Sequence, residues 1–221
     1  MTNENLDWQS VVADIARCDA RELLSMALDR QMNTVRRAAA CFVIGQRRER
    51  CAVDKLIGLA SDPVEVVSIT AIQALVVTGS KRATRPLLRL ASNAKSLALK
   101  TTSISGLGFL GDSQAEGLLR SFLRNESDIV RSVSASALSG LSCRKATIDA
   151  LVDRLHLDLC PRVRWAAALT LGNVAGAEVF VDLERHLKDD AKVEGVPDQP
   201  QVANGVLEAM VRLSERGYGS G

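Results

Sequence analysis

One motif returns along this chain at a nearly constant interval. VRRAAACFVIG begins at Val35, VVSITAIQALVVTG at Val66 and ALKTTSISGLGFLG at Ala98. VRSVSASALSGLSC follows from Val130 and VRWAAALTLGNVAG from Val163. The anchors are 31, 32, 32 and 33 residues apart. An imperfect sixth copy, VANGVLEAMVRL, starts at Val202, displaced by the segment KVEGVPDQPQ with its Pro197 and Pro200. A period of this length marks an array of stacked supersecondary units, in which each unit buries its apolar face on its neighbours.

Each unit reads as two helices. In the first, small residues align at inward positions: Ala40, Ala71, Ser103, Ala135 and Ala168. Three residues on stand Val43, Ala74, Gly106, Leu138 and Leu171, on the same helix face. Small side chains there let neighbouring helices approach closely, and Gly106-Leu107-Gly108 signals packing rather than a phosphate cradle. Gly79-Ser80, Gly111-Asp112 and Gly176-Ala177 read as helix stops. A second helix then carries paired aliphatics: Leu56-Ile57, Leu87-Leu88, Leu118-Leu119 and Leu151-Val152, with Val181 and Leu183 as a looser fifth. Asp62-Pro63, Asn93, Asn125 with Asp128, and Asp158 with Pro161 read as loops and caps between units.

Composition agrees. Of 221 residues, 47% are hydrophobic but only 3% are aromatic: 4 Phe, 2 Trp and 1 Tyr. A core of Ala, Leu and Val is a helical one. Scarce aromatics argue against β-sandwiches and against base-stacking modules. The apolar fraction excludes a disordered chain.

At this point the sequence resembles the HEAT-like repeats of bacteria, whose pattern is similar to D-x-x-V-R-x-x-A-A-x-A-L-G-x-L-G followed by a helix with paired Leu. The match is best at Asp128-Ile129-Val130-Arg131 and at Arg162-Val163-Arg164-Trp165-Ala166-Ala167-Ala168. Val67 and Leu99 stand where such repeats often place Arg. The expected fold is therefore all-α, an α-solenoid (a right-handed superhelix) of about six HEAT-like helix pairs. Residues 5–30 form the N-terminal cap in this reading, 31–190 the five regular repeats, 191–200 an insertion, 201–216 the C-terminal cap and 217–221 a flexible tail, all within one domain.

Lys and Arg number 28 against 26 Asp and Glu, a net charge of +2. Such balance gives no steering toward nucleic acid or an anionic membrane. The charge is uneven, with cations crowding 30–55 and carboxylates crowding 178–198. The cysteines Cys18, Cys41, Cys51, Cys143 and Cys160 lack metal or disulfide spacing. No apolar stretch is long enough to span a bilayer, and MTNENLDWQS has no signal-like pattern. A cytoplasmic protein is the expectation.

Catalytic motifs are missing: no HExxH, GxSxG or GxxxxGKS occurs, and the GxGxxG spelled by Gly106, Gly108 and Gly111 stands in the first helix of a repeat rather than after a strand. His156 stands four residues before Cys160, but Leu-Asp-Leu-Cys-Pro-Arg reads as the inter-repeat loop, which separates them. His186, with Asp182 and Asp190 four residues away on either side, reads as a surface ion-pair stack. No catalytic residue, metal ligand or cofactor is assigned.

Surfaces remain. Outward positions of the second helices pair as Asp54 and Gly58, Arg85 and Arg89, Glu116 and Arg120, Asp149 and Asp153, and Asp182 and His186. With Arg124, this row runs from basic in the middle to acidic near the C-terminus, which suits a protein partner of complementary charge. Trp165 is the other candidate. By anchor register its equivalents are the polar Arg37, Ser68, Lys100 and Ser132, so it is either an exposed contact or packed under residues 188–200.

Three functions follow. The leading one is a non-catalytic protein–protein interaction module: a scaffold, adaptor or chaperone-like protein. The resemblance also extends to subunits of the phycobilin lyases of cyanobacteria and their chaperone-like relatives. It implies a linear tetrapyrrole as ligand and a phycobiliprotein as partner. Nucleic-acid binding ranks lowest, because Asp149 and Asp153 interrupt the cations Arg85, Arg89, Arg120 and Arg124. Partner identity, and the choice between monomer and heterodimer, stay open.

Overall fold

The structure, a computed structural model, describes residues 7–189 and 200–217. The segment read as an insertion lies outside them apart from Pro200, as do residues 218–221 of the tail. Among the described residues there are thirteen α-helices and no strand. Two compact units divide the chain, residues 1–106 and 107–221. In each, helix pairs stack in the manner of an α-solenoid.

The chain starts with α1 (Trp8–Ile15) and α2 (Ala20–Leu28). Asp7 caps α1 by accepting from the Ser10 N–H, and Asp19 with Glu22 forms a capping box on α2. First helices of the repeats are α3 (Thr34–Gln46), α5 (Glu65–Thr78), α7 (Leu97–Leu110), α9 (Asp128–Leu138) and α11 (Pro161–Val174). Second helices are α4 (Val53–Leu59), α6 (Thr84–Asn93), α8 (Glu116–Phe122), α10 (Lys145–Leu157) and α12 (Phe180–Asp189). Helix α13 (Pro200–Glu215) packs on α11 and α12.

Burial follows the helix count. The eleventh residue of each first helix, Ile44, Leu75, Leu107, Leu138 or Leu171, has no exposed surface. Neither has Leu56, Leu87, Leu119, Leu151 or Leu183, one in each second helix. Truncating any of these to Ala would cost about 2–5 kcal/mol.

First helices meet through complementary sizes at two positions, the twelfth residue of one and the tenth of the next. A β-carbon on Gly45 would lie 2.7 Å from the Ala74 Cα, and one on Gly108 2.7 Å from the Ala137 Cα. One on Gly172 would lie 2.6 Å from the Ala209 Cα. Where the twelfth residue is the larger Val76, the tenth residue facing it is Gly106, whose β-carbon would come within 2.9 Å of the valine methyl. The small residues thus permit near-backbone contact, and where the bulky Val76 stands at a junction it is matched by a glycine.

Counting from the helix starts corrects the register of the repeat. Val35, Val66 and Ala98 are second residues, whereas Val130 and Val163 are third residues. The inward positions read from sequence are all buried. They nevertheless combine the seventh and tenth residues of three helices with the eighth and eleventh of two.

Candidate functional site

Second-helix outward positions are the surface the sequence singles out. In unit 1, Asp54 and Gly58 on α4 and Arg85 and Arg89 on α6 are exposed. In unit 2, Asp149 and Asp153 on α10 are exposed. Two other pairs are misplaced by one residue. Aligned through the buried leucines, the outward residues of α8 are Gly117 and Ser121, and those of α12 are Val181 and Arg185; all four are exposed.

Glu116 and His186 are therefore not outward, being only 4% and 6% exposed. Arg120 and Asp182 are half-buried beside them, and Arg124 is exposed in the turn after α8. The physical reason is the hundred-degree step of a helix: a one-residue slip carries a side chain from the solvent side toward the core.

Glu116 fastens α8 to α10. Its carboxylate accepts from the Thr147 hydroxyl at 2.7 Å and from the Arg144 N–H at 2.8 Å. Burial acts to raise its pKa, but these bonds and the nearby Arg144 and Arg120 guanidinium groups hold it below the ordinary range. Arg120 also reaches the Thr147 hydroxyl at 3.5 Å. This is a stapled carboxylate, not a free acid or base.

His186 is likewise buried rather than on the surface. Its ring lies 5.6 Å from that of His156, and the Asp182 carboxylate is 3.8 Å from the His156 Nε2. Asp190, its other expected neighbour, lies outside the described residues. His156 and Cys160 are separated as the loop reading requires, because α10 ends at Leu157 and Cys160 caps α11. The Cys160 thiol instead donates to Asp128 at 3.3 Å, which holds that carboxyl below its usual range. Among the described residues, no group of three or more His, Cys, Asp or Glu side chains is placed to hold a metal ion.

Trp165 is 39% exposed. It is the fifth residue of α11, and its counterparts are Ala38, Ile69, Thr101 and Ser132, so only Ser132 of the set read from the anchors is among them. A β-carbon on Gly205 of α13 would lie 2.5 Å from the Trp165 Cδ1, so the indole rests on bare backbone of α13 while its other side meets solvent.

The polar set belongs to the fourth residue of each first helix: Arg37, Ser68, Lys100, Arg131 and Arg164. The sequence pattern pointed to an arginine here but placed the middle positions at Val67 and Leu99, one residue before Ser68 and Lys100. Arg37 is 3% exposed, donating to the Ala27 carbonyl and pairing with Asp62 of the next loop. Arg131 pairs bidentately with Asp158 at 2.8 and 2.9 Å. Burial tends to raise the Asp62 carboxyl, yet the Arg37 guanidinium and the Val64 N–H hold it below its usual range. Where the loop has Ala94 in place of Asp, the helix has Ser68, whose hydroxyl turns back to the Ala60 carbonyl. The Asp and Asn residues two places before the helix caps were the available signal.

Among the described residues, no helix is long and apolar enough to cross a membrane. The profile described as HEAT repeats matches residues 20–108 and 118–194. No curated protein sequence matches the chain. Among solved structures, it is similar to the complex of CpcE and CpcF of phycocyanin lyase from Nostoc sp. PCC7120. That match has 18% identity and a TM-score of 0.52, covering 96% of this chain and 98% of that one. It is also similar to an engineered protein, with 17% identity, a TM-score of 0.51, and 98% and 100% coverage. Human deoxyhypusine hydroxylase matches with 18% identity, a TM-score of 0.49, and 96% and 82% coverage. These are likenesses of fold, and fold does not assign function. With most of its length matched by the profile and its helix pairs repeating as described, the chain belongs to the HEAT repeats family.

Proposed function

We propose that this protein is a non-catalytic protein–protein interaction module that grips its partner through the outward row of its second helices. One observation carries the reading. All ten outward positions are exposed, and their residues differ from repeat to repeat, over one leucine per second helix that is wholly buried. A uniform buried lattice under a varied exposed row separates folding from recognition. The outward positions are basic on α6 of unit 1, and neutral on α8 and acidic on α10 of unit 2, so each unit offers a partner a charge character of its own.

Quantitative capture of the partner from the native cell tests this. Arg85→Glu with Arg89→Glu, and Asp149→Lys with Asp153→Lys, should each weaken capture at least tenfold while leaving Tm within about 2 °C of wild type. Undiminished capture by both double variants would contradict the reading. The fold-level likeness to phycocyanin lyase chains leaves a bilin-linked, heterodimeric role as the other reading. Mixing the protein with a linear tetrapyrrole separates them: an unchanged absorbance spectrum counts against that role.

A further inference from the structure

Arg48 adopts φ 54°, the left-handed region, and is the only described non-glycine residue to do so. It is the fifteenth residue counted from the start of α3. The fifteenth residues from the starts of α5 and α7 are Gly79 at φ 67° and Gly111 at φ 59°. Glycine enters this region without strain, whereas arginine does not. An exposed arginine held there costs stability and gives nothing back to the fold: Arg48 has no ion pair among the described residues. Such an outlier points to a use for the side chain.

The surroundings supply that use. Arg48 and Arg50 lie at the turn into α4, and Lys81 and Arg82 form part of the 3-10 turn into α6. The Arg82–Asp54 contact brings these two turns to one edge of unit 1. That contact neutralises Asp54. Arg48, Arg50, Lys55, Lys81, Arg85 and Arg89 are all exposed, and none forms an ion pair among the described residues. The first turn of α6 has no acidic residue, so Lys81, Arg82 and Arg85 crowd the positive end of its dipole. Cations placed there raise the local positive potential at the expense of the helix.

We infer that this edge of unit 1 and the adjoining outward face of α6 dock an acidic segment of a partner protein. Arg85 and Arg89, one turn apart, take successive carboxylates, and Arg48 takes a further one. The turns and α6 carry no aromatic side chain on which bases could stack, which favours carboxylates over nucleic acid. The inference rests on the interaction reading above and adds to it the chemistry of the partner.

Fluorescence anisotropy with the full chain tests it. The probes are a labelled oligo-glutamate peptide and a labelled single-stranded oligonucleotide of equal formal charge. The peptide should bind more tightly than the oligonucleotide, and Arg85→Glu with Arg89→Glu should weaken it about tenfold or more. Arg48→Gly should weaken it several-fold while raising Tm by about 2 °C, which separates lost charge from lost folding. Arg162→Glu, an exposed cation of unit 2, should leave it unchanged. Tighter oligonucleotide binding, equal loss in Arg162→Glu, or no loss in the α6 double variant would overturn the inference. If that happened while native partner capture still depended on the row, only the acidic chemistry would fail and the interaction reading would stand.

Discussion

Gly172 faces Ala209 so closely that a β-carbon on the glycine would sit 2.6 Å from the alanine Cα. Contact of this kind leaves no slack for a methyl group. Gly172→Ala and Gly45→Ala should each destabilise the protein by about 1–3 kcal/mol. Gly58 and Gly117 are exposed on second helices, and a methyl group on either would meet nothing within 4 Å. There the same substitution should stabilise by about 0.5–1 kcal/mol. Denaturant unfolding of the four variants measures both signs.

The Arg37–Asp62 pair is nearly inaccessible, at 3% and 4% side-chain exposure. Asp62→Asn leaves the buried guanidinium without its counter-charge and should cost about 3 kcal/mol at neutral pH. The folded Asp62 carboxyl titrates below its ordinary value of 3.8. A lowered folded pKa contributes stability that is present above the ordinary value and is lost as pH falls through the folded one. The Tm gap between wild type and Asp62→Asn should therefore be widest near neutrality and should close on acidification below about pH 4.

Thiol chemistry should report the core directly. Burial pushes the Cys41 thiol up to about 12, opposed by the nearby Arg37 charge, and its side chain has no exposed surface. Cys51 is exposed. Alkylation near pH 8 followed by mass spectrometry should mark Cys51 first and Cys41 only after denaturation.

Trp165 should prove to be a packing residue with one wet side. Trp165→Ala uncovers the bare backbone at Gly205 and should cost about 1–3 kcal/mol. Gly205→Ala should shift the intrinsic fluorescence, because the methyl would occupy the place of the indole edge.

The repeat, the helical class and the buried aliphatic face were all legible, because a period near 32 and a core of small residues leave few alternatives. The outward register was not. The anchors Val35, Val66 and Ala98 fall on the second helical residue and Val130 and Val163 on the third, so first-helix anchors do not fix the second-helix register, and Glu116 and His186 were read as exposed. Two other signals carry the right register. One is the set of leucines from Leu56 to Leu183, spaced 31 and then 32 residues apart; the other is the loop aspartates Asp62 and Asp158. Arg48 was invisible as a strained residue, because its φ becomes notable only beside Gly79 and Gly111 in the folded chain.

Site-specific photo-crosslinking of the native partner tests the central claim most directly. A photoreactive residue at Ser121 or Asp153, on the outward row of the second helices, should yield a covalent adduct with the partner. The same residue at Phe109, 83% exposed on the first helix α7, should not. Adducts from Phe109 and none from Ser121 or Asp153 would contradict the account and move the binding surface to the first helices.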